Sequence, residues 1–483
     1  MRNTLGGRLE TLEPREPGRV KMYTCGPTVY GPSHIGNFRS FVFADVLRRY
    51  LGWCGLEVTW VMNITDVDDR IIREANREGV TIGELTARHV DTFVDDLGTL
   101  RITMPDYLPR ATEHITEMVE LIEVLLERGH AYRTDDGSVF FRIASWPEYG
   151  KLSRIDPARL RVGERVEEDD YGKDDVRDFA LWKARKSGEP SWPTPIGEGR
   201  PGWHIECSAM SMRYLGPSFD VHTGGVDLVF PHHEDEIAQS EAATGETFVR
   251  TWLHCAHLQM SGEKMARREG NIARPSDVYA RGFSPRALRY ALLSVHYRSP
   301  MEYTEEGLAA AAAAVERLST LLGALDSYRE ERPDDPTLPL LLDEARRGFV
   351  AGLDDDLNVS ASLAAVFDLV RELNRRLDGR SISTEDAARA AALLRDLDRV
   401  LAVAEDNGEA LSPEVAALLE ARADARAARN WPTSDRLRGE LLRQGVIVED
   451  TRDGQRWRRV RASGGESGAG REGENGGEAS GGA

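Results

Sequence analysis

Cysteine is scarce in this sequence, and long hydrophobic runs are absent from it. Only four of the 483 residues are cysteines: Cys25, Cys54, Cys207 and Cys255. This small, scattered set excludes the disulfide framework of a secreted scaffold, so each thiol is by default a small buried side chain. No stretch approaches the roughly 18 apolar residues that cross a membrane, and no apolar stretch follows the first basic residue as in a secretory signal. We therefore expect a cytoplasmic protein without a membrane partner.

Basic residues are in the minority as well. The chain has 62 Lys and Arg against 81 Asp and Glu, which gives a net charge of -19. This balance argues against a nucleic-acid partner, since phosphate binding relies on Lys and Arg. Net charge is a sum over the whole surface, however, and a local basic patch can exist within it. Residues 411–461 illustrate this, because they carry eleven arginines and eight acidic residues.

The spacing of apolar residues near the start predicts a strand, a helix and a second strand. Residues 20–25 and 57–64 are short apolar runs typical of buried strands. Between them apolar residues recur at helical spacing, with Ser33 as the predicted N-cap and Gly52 or Gly55 as the stop. This order indicates a βαβ unit and therefore the beginning of a parallel sheet.

A second set of short apolar runs follows Pro201. It predicts two helices and two strands, at residues 203–215 and 231–244 for the helices and 218–225 and 251–260 for the strands. The two sets resemble the halves of one Rossmann-like, doubly wound parallel sheet. The α/β catalytic domain would then cover residues 1–300, with an insertion at about 101–200.

The character of the chain changes after residue 300. Residues 301–405 are rich in alanine with helical periodicity, which predicts an α-helical bundle. A small C-terminal module is expected at 406–461. The Gly/Glu-rich tail at 462–483 has no large apolar side chain, so we expect it to be disordered.

The turn at residues 26–37 has the composition of an anion site. A glycine-containing turn that opens a helix after a parallel strand presents backbone N–H groups and the positive end of a helix dipole. His34 could donate to a phosphate there, and Gly36 would let a ligand lie against the backbone. The alternative is that His34 only caps its helix.

His232 and Glu236 are four residues apart, so they would share one face of a helix. Such a pair can bind a divalent metal, although surface helices also produce it by chance. Cys25 and Cys207 could complete a four-ligand set, because strand-to-helix turns converge at one edge of the sheet. Two thiolates, an imidazole and a carboxylate suit zinc. Residue types alone leave this set a hypothesis.

The segment 261–272 is a polar, glycine-flanked loop that carries Lys264, Arg267 and Arg268. One interpretation is a solvated basic loop. The other is a mobile cationic lid over phosphates.

Six separated stretches, taken in order, carry a family resemblance. They are "MYTCGPTVY" from residue 22, "HIGN" from 34, "NITDVDD" from 63, "PGWHIECSAM" from 201, "HTGGVDLVFPHHEDEIAQS" from 222 and "KMARR" from 264. Together they resemble a class I aminoacyl-tRNA synthetase, specifically a cysteinyl-tRNA synthetase. The resemblance implies a monomeric cysteine–tRNA ligase. It would activate L-cysteine with ATP to cysteinyl-adenylate and diphosphate, and then transfer it to tRNA(Cys).

The resemblance also implies a role for each matching residue. One zinc ion per chain would be bound by Cys25, Cys207, His232 and Glu236, and Mg²⁺ would arrive with ATP. Thr65 and Trp203 would line the amino-acid pocket. Near the ATP phosphates would lie the signature residues His34 and Asn37 and the lid lysine Lys264, with further ATP contacts at Gly36, Gly224 and Asp227. The anticodon would be bound by Trp431, Asp435, Arg438 and Asp450. For Trp431 the alternative is a side chain packed in a small helical core.

A zinc ion would explain how cysteine is told from serine without an editing domain. A hydrophobic pocket gains only ~1–3 kcal/mol from so small a difference. Zinc binds a thiolate directly, and binding deprotonates the thiol. Discrimination would then be chemical.

Two signatures depart from the family pattern. Asn37 replaces the second histidine of "HIGH", and Ala266, Arg267 and Arg268 replace the last three residues of "KMSKS". These changes keep positive charge but remove a hydroxyl, and Arg does not reproduce the geometry of Lys. They leave two other functions open: a ligase that joins cysteine to a small amine, and a non-catalytic paralogue. The module at 406–461 disfavours the first of these, since such ligases are shorter.

Overall fold

The structure is a computed structural model that describes residues 1–156, 177–265, 270–404, 413–444, 446–451 and 454–459. The chain divides into two compact units. The first comprises Met1–Val278 and Phe283–Glu405, and the second comprises Tyr279–Gly282 and Asp406–Ala483. The predicted lid residues Ala266, Arg267 and Arg268 lie outside the described residues, and so does the predicted tail at 462–483.

The described strands and helices follow one another along both units. The strands are β1 (Arg2–Asn3), β2 (Arg8–Leu9), β3 (Arg19–Thr24), β4 (Glu57–Met62), β5 (Ala131–Arg133), β6 (Val139–Phe141), β7 (Phe179–Ala184), β8 (Gly199–Pro201), β9 (Phe219–Gly225), β10 (Val249–Cys255), β11 (Leu258–Met260), β12 (Glu263–Lys264), β13 (Met301–Glu302), β14 (Val446–Thr451) and β15 (Gly454–Arg459). The helices are α1 (Ile35–Trp53), α2 (Asp69–Glu78), α3 (Ile82–Thr99), α4 (Ile115–Glu127), α5 (Trp203–Leu215), α6 (Glu234–Thr244), α7 (Pro275–Ala280), α8 (Pro285–Leu293), α9 (Glu305–Ser327), α10 (Leu338–Asp354), α11 (Val359–Asp378), α12 (Thr384–Leu401), α13 (Pro413–Ala427) and α14 (Trp431–Arg443).

The central sheet of the first unit is parallel, with strand order β10-β9-β3-β4. Its inner strands β3 and β9 are largely buried, as expected for a sheet covered by helices on both faces, although β9 includes the polar residues Asp220, His222 and Thr223. β3 has β4 on one side and β9 on the other, so the strand order reverses at β3. In open α/β sheets the crevice outside the carboxyl ends of the strands at such a point is where ligands bind. The predicted α/β, doubly wound class is confirmed.

Helix α1 joins β3 to β4 and begins at a different cap from the predicted one. Its N-cap is His34, not Ser33. The side-chain oxygen of Asn37 accepts a hydrogen bond from the His34 backbone N–H at 3.1 Å, as the N3 residue of a capping box does. The helix passes through Gly52 and ends at Trp53, and Gly55, at φ +90°, makes the turn into β4.

The predicted insertion contains an antiparallel sheet with strand order β5-β6-β7-β8. Its hydrophobic core also includes residues of α4, α5 and α6, and the rings of Phe141 and Phe179 stack at 4.9 Å. β8 leads directly into α5, so the insertion ends where the helix with Cys207 begins.

Helices α9 to α12 form the predicted helical bundle, with leucine and alanine side chains buried between them. Among the described helices, α9 alone is long and apolar enough to cross a membrane by length and composition. Half of its apolar stretch is buried inside the protein, which is the usual arrangement of a core helix.

The second unit contains α13, α14 and the antiparallel β14–β15 hairpin. Its small core consists of Val415, Leu419, Leu441, Val446 and Val448.

Candidate functional site

The site lies at the carboxyl ends of the central strands. Cys25 directly follows β3, and its backbone N–H donates to the carbonyl of Thr223 near the end of β9 at 3.2 Å. The chain can turn here because the next residue is glycine. A Cβ on Gly26 would lie 1.7 Å from the carbonyl oxygen of Asn63. The same Gly26 donates its N–H to the Asn63 side chain at 2.9 Å.

Cys25, Cys207, His232 and Glu236 come together in space from four parts of the chain. Their ligand atoms all lie within 4.8 Å of one another, and all four side chains are buried. The separations are 3.7 Å between the two sulfurs, 3.5 Å from Cys25 Sγ to Glu236 Oε1, and 3.0 Å from His232 Nε2 to Glu236 Oε1. Tetrahedral zinc with bonds of about 2.0 to 2.3 Å places its donors about 3.3 to 3.8 Å apart. The donor types and the two separations that involve Cys25 fit zinc, and the His232–Glu236 separation is about 0.3 Å shorter than this range.

The backbone at His232 differs from the predicted helix over 231–244. α6 begins only at Glu234, and His232 lies in the preceding π-helical turn Val229–His233, where Phe230 is non-helical. The contact predicted from the four-residue spacing is still made. His232 Nδ1 lies 2.9 Å from Nδ1 of His204, which leaves Nε2 directed at Glu236 and the metal position.

Three consecutive carboxylates occupy the first turn of α6, where the helix dipole favours negative charge. Glu234 accepts three backbone N–H bonds from the segment 150–153, at 2.7 to 3.1 Å. Asp235 accepts from the hydroxyl of Tyr149. Glu236 faces the two cysteines. The insertion therefore holds the first turn of α6, which carries the candidate metal ligand Glu236, through two of its three acidic residues.

Two further histidines, His222 and His233, lie on the other side of Glu236 and were not predicted from the sequence. His222 Nε2 is 2.9 Å from Glu236 Oε2, and His233 Nε2 is 3.3 Å from Cys25 Sγ. With Cys25 and Glu236 they make a second buried group whose ligand atoms lie within 4.8 Å of one another. Their sequence positions gave one weak signal, which is that His233 adjoins His232.

The pKa values of the cluster favour anionic donors. Burial alone would raise the pKa of Glu236, but His222 and His232 lower it to about 2. Burial would likewise raise the pKa of the Cys207 thiol, but a hydrogen bond from Cys25 and the nearby His232 lower it to about 6. Burial and the neighbouring Cys207 raise the pKa of Cys25. One thiol thus keeps its proton in the metal-free chain, and a bound cation would favour releasing it.

The predicted amino-acid pocket residues lie beside this cluster. The Trp203 ring stacks on His232 at 4.2 Å with an interplanar angle of 27°. Thr65 is buried, and its hydroxyl donates to Glu206 Oε2 at 2.9 Å. Glu206 was not predicted as a site residue.

Asp227 and Lys264, two of the predicted ATP contacts, form an ion pair, and the third, Gly224, lies against His233. Lys264, on β12, places its ammonium 2.9 Å from Asp227 Oδ2. Burial would raise the pKa of Asp227, and Lys264 holds it below its usual range. A Cβ on Gly224 would lie 2.7 Å from the ring of His233, so the backbone there must be free of a side chain.

The start of α1 lies against Leu258 and Ala273, which precede and follow the predicted lid at 261–272. The Ile35 N–H donates to the carbonyl of Ala273 at 2.9 Å, and a Cβ on Gly36 would be 3.7 Å from that of Leu258. His34 and Asn37 therefore lie close to the segments on either side of the predicted lid. Asn37 uses its side-chain oxygen to cap the helix.

In the second unit, three of the four predicted anticodon residues lie on α14. Trp431, Asp435 and Arg438 are spaced four and three residues apart, so they share one exposed face of the helix. Trp431 is 52% exposed rather than packed in the core, and the guanidinium of Arg426 lies 5.6 Å from its ring centre. Asp450 lies on β14, but its side chain is outside the description.

Comparisons with known proteins first define a class. The family model described as the class I (C) tRNA synthetase catalytic domain matches residues 11–313, the DALR domain matches 348–405, and the cysteinyl-tRNA ligase anticodon binding domain matches 408–458. A methionyl-tRNA synthetase from Mycobacterium tuberculosis has a TM-score of 0.57 at 17% identity, covering 80% of this chain and 90% of its own. The leucyl enzyme of Agrobacterium radiobacter, solved as a ternary complex with tRNA, has a TM-score of 0.60 at 14% identity, covering 81% and 85%. The fold is that of a class I aminoacyl-tRNA synthetase.

The more similar relatives narrow this class to one family. A cysteine–tRNA ligase from Koribacter versatilis is 43% identical over 95% of this chain and 99% of its own length. That of Halorhodospira halophila is 46% identical over 95% and 99%. The chain belongs to the cysteine–tRNA ligase family, so the predicted family and the predicted enzyme class are confirmed.

Proposed function

We propose that this chain activates L-cysteine with ATP to cysteinyl-adenylate and diphosphate, transfers the cysteinyl group to tRNA(Cys), and selects cysteine through one zinc ion bound by Cys25, Cys207, His232 and Glu236. The observation that carries the zinc assignment is the spacing of the four donors, at 3.0 to 3.7 Å for the three measured pairs. Two of these separations lie within the range of a tetrahedral ion, and the His232–Glu236 pair would have to open by about 0.3 Å.

The chain's own residues would give the ion its selectivity. Bound zinc supplies a Lewis-acid site with high affinity for a thiolate and low affinity for a hydroxyl. Cys207, His232 and Glu236 are almost completely buried, which excludes competing water. Trp203 packs on the His232 ring and fixes its orientation beside the pocket. A serine hydroxyl in the same position would lose the metal–sulfur bond and gain nothing in its place.

The nucleotide end would orient the reacting phosphate. Asp227 and Gly224 would bind the adenosine, and Lys264 would leave Asp227 to stabilise the charge that develops on the phosphate, with Mg²⁺ bound to ATP. His34 and the N-terminus of α1 would donate to the same oxygens. Because Asn37 caps the helix through its oxygen, Asn37→His and Ala266→Ser should change the rate of activation and leave the preference for cysteine unchanged.

Recognition of tRNA would use the second unit. Trp431 offers an exposed ring for base stacking, and Asp435 and Arg438 offer hydrogen-bonding groups on the same face. With these parts we propose a cytoplasmic, monomeric enzyme. Deleting residues 406–461 should abolish tRNA charging while ATP–diphosphate exchange continues.

The zinc assignment is tested by comparing two buried thiols. Purified wild type should contain one zinc per chain and catalyse cysteine-dependent ATP–diphosphate exchange. Cys207→Ser should lose the zinc and the preference for cysteine over serine. Cys255→Ser is the matched control, since Cys255 is equally buried and is in neither group of metal-ligand residues. Wild type without stoichiometric zinc, or a Cys207→Ser chain that still rejects serine, would refute the assignment.

A further inference from the structure

Glu206 is a buried carboxylate with an unused oxygen. It lies in the first turn of α5, next to Cys207, and is 1% exposed. Its Oε2 accepts from the Thr65 hydroxyl at 2.9 Å, whereas Oε1 has no hydrogen-bond partner among the described residues. Leaving a buried acceptor without a donor is destabilising, and more so for a charged group. A donor that arrives with a ligand would explain why this oxygen is kept free.

The charged groups around Glu206 favour the binding of a cation. The titratable side chains nearest to its carboxyl include Cys207, Asp66 and Asp68, which are all acidic. In the described part of the chain no lysine, arginine or histidine forms an ion pair with it. A buried carboxylate among acidic groups attracts a positively charged ligand group.

A chain of hydrogen bonds fixes Glu206 relative to the metal ligands. Gly26 N–H donates to Asn63 Oδ1 at 2.9 Å, Asn63 Nδ2 donates to the Thr65 hydroxyl at 3.2 Å, and that hydroxyl donates to Glu206. The first member adjoins Cys25 and the last adjoins Cys207. These hydrogen bonds therefore connect Glu206, the neighbour of Cys207, with Gly26, the neighbour of Cys25, through the buried side chains of Asn63 and Thr65.

From these contacts we infer that Glu206 binds the ammonium group of the substrate cysteine through Oε1, while Oε2 holds Thr65 in the orientation that lines the pocket. The inference rests on the proposed metal site only for the position of the thiolate. Cysteine carries its ammonium and its sulfur on adjacent carbons, so two receptors on neighbouring residues suit one small substrate. Glu206 thus binds the amino group of the substrate, and the proposed metal site binds its sulfur.

Glu206→Gln and two cysteine analogues separate this role from a structural one. Cysteamine has the thiol and the ammonium, and 3-mercaptopropionate has the thiol and the carboxylate. Loss of a hydrogen bond to a charged group should raise the KM for cysteine and the inhibition constant of cysteamine about 10- to 100-fold. The inhibition constant of 3-mercaptopropionate and the zinc content should stay within about twofold of wild type. Equal weakening of both analogues, or weakening of neither, would overturn the inference.

A second readout uses the stability of the ligand-free chain. Because Oε1 lacks a donor, Glu206→Gln should leave the Tm unchanged or raise it. Glu234→Gln is the matched control: this glutamate is equally buried on the adjacent helix, but three N–H groups donate to it, so its Tm should fall. A fall in Tm for Glu206→Gln as large as that of the control would also overturn the inference. If wild type binds no zinc but the analogues still separate as expected, the ammonium assignment stands and the metal assignment fails.

Discussion

Replacing Asp45 with asparagine should strongly destabilise the first unit. Asp45 is fully buried on α1 and accepts hydrogen bonds from Arg289 Nη2 at 2.6 Å, from Arg49 Nε at 2.8 Å and from the Thr103 N–H at 2.8 Å. Asparagine has nearly the same shape and can still accept from Thr103. The substitution therefore keeps the shape but removes the charge, and it replaces Oδ2, which accepts from both arginines, with an amide NH2 group that cannot accept.

The size of the effect follows from the partner that is left behind. Arg289 is also fully buried, and its remaining hydrogen bonds go to the carbonyls of Leu401, Leu100 and Arg101, which carry no net charge. Removing one member of a buried ion pair costs about 3 to 5 kcal/mol, because the other charge stays buried without compensation. Burial would raise the pKa of Asp45, but Arg289 and Arg49 hold it below its usual range. This contribution is present above pH ~4 and is lost as the pH falls through the lower folded pKa.

Urea unfolding of the full chain at pH 7 measures the loss. The control is Asp343→Asn, the same chemical change in the exposed pair of Asp343 and Arg347, which should cost about 0 to 1 kcal/mol. The difference between the two variants should shrink as the pH approaches the folded pKa of Asp45. Equal losses in the two variants, or a loss for Asp45→Asn below about 1 kcal/mol, would refute the reasoning.

Three other substitutions have defined outcomes. Gly26→Ala should reduce zinc content and exchange activity together, because its Cβ would lie 1.7 Å from the Asn63 carbonyl oxygen; a fully loaded, active variant would contradict this. Asp227→Asn should raise the KM for ATP about tenfold or more and leave the KM for cysteine unchanged, because Asp227 contacts Lys264 and is proposed to bind the adenosine; steady-state exchange kinetics measure both. Asp69→Asn should lower the free energy of unfolding at pH 7 and make that free energy less dependent on pH below about pH 4. The reason is that Lys183 and Arg200 outweigh burial and lower the pKa of Asp69. Acid-unfolding curves that match wild type would argue against it.

Local patterns predicted the elements of the sheet well. The runs at 20–25 and 57–64 correspond to β3 and β4, and in both strands the last three residues are buried. The cap of α1 was predicted one residue early. Serine is the usual N-cap, whereas here Asn37 accepts from the backbone of His34 and shifts the start of the helix. A reciprocal cap of this kind depends on a side-chain conformation that composition does not show.

Only part of the candidate metal site could be predicted from the sequence. The spacing of His232 and Glu236 predicted their contact, but not the π-helical turn that carries His232. His222 and Glu206 gave no signal, since one lies in a strand and the other on a helix far from their partners in sequence. Their roles arise from the crossing of distant elements. The family resemblance supplied the four ligands, and the distances between them came from the fold.

The hydrogen bonds from the segment 150–153 to Glu234 would make the affinity of the proposed zinc site depend on residues that do not belong to its ligand set. Shortening or loosening the inserted subdomain would let the first turn of α6 drift and open the ligand cage. If zinc is bound as proposed, heating or partial proteolysis that unfolds the insertion should release it before the parallel sheet unfolds, so metal loss would be an early sign of damage to a remote part of the protein.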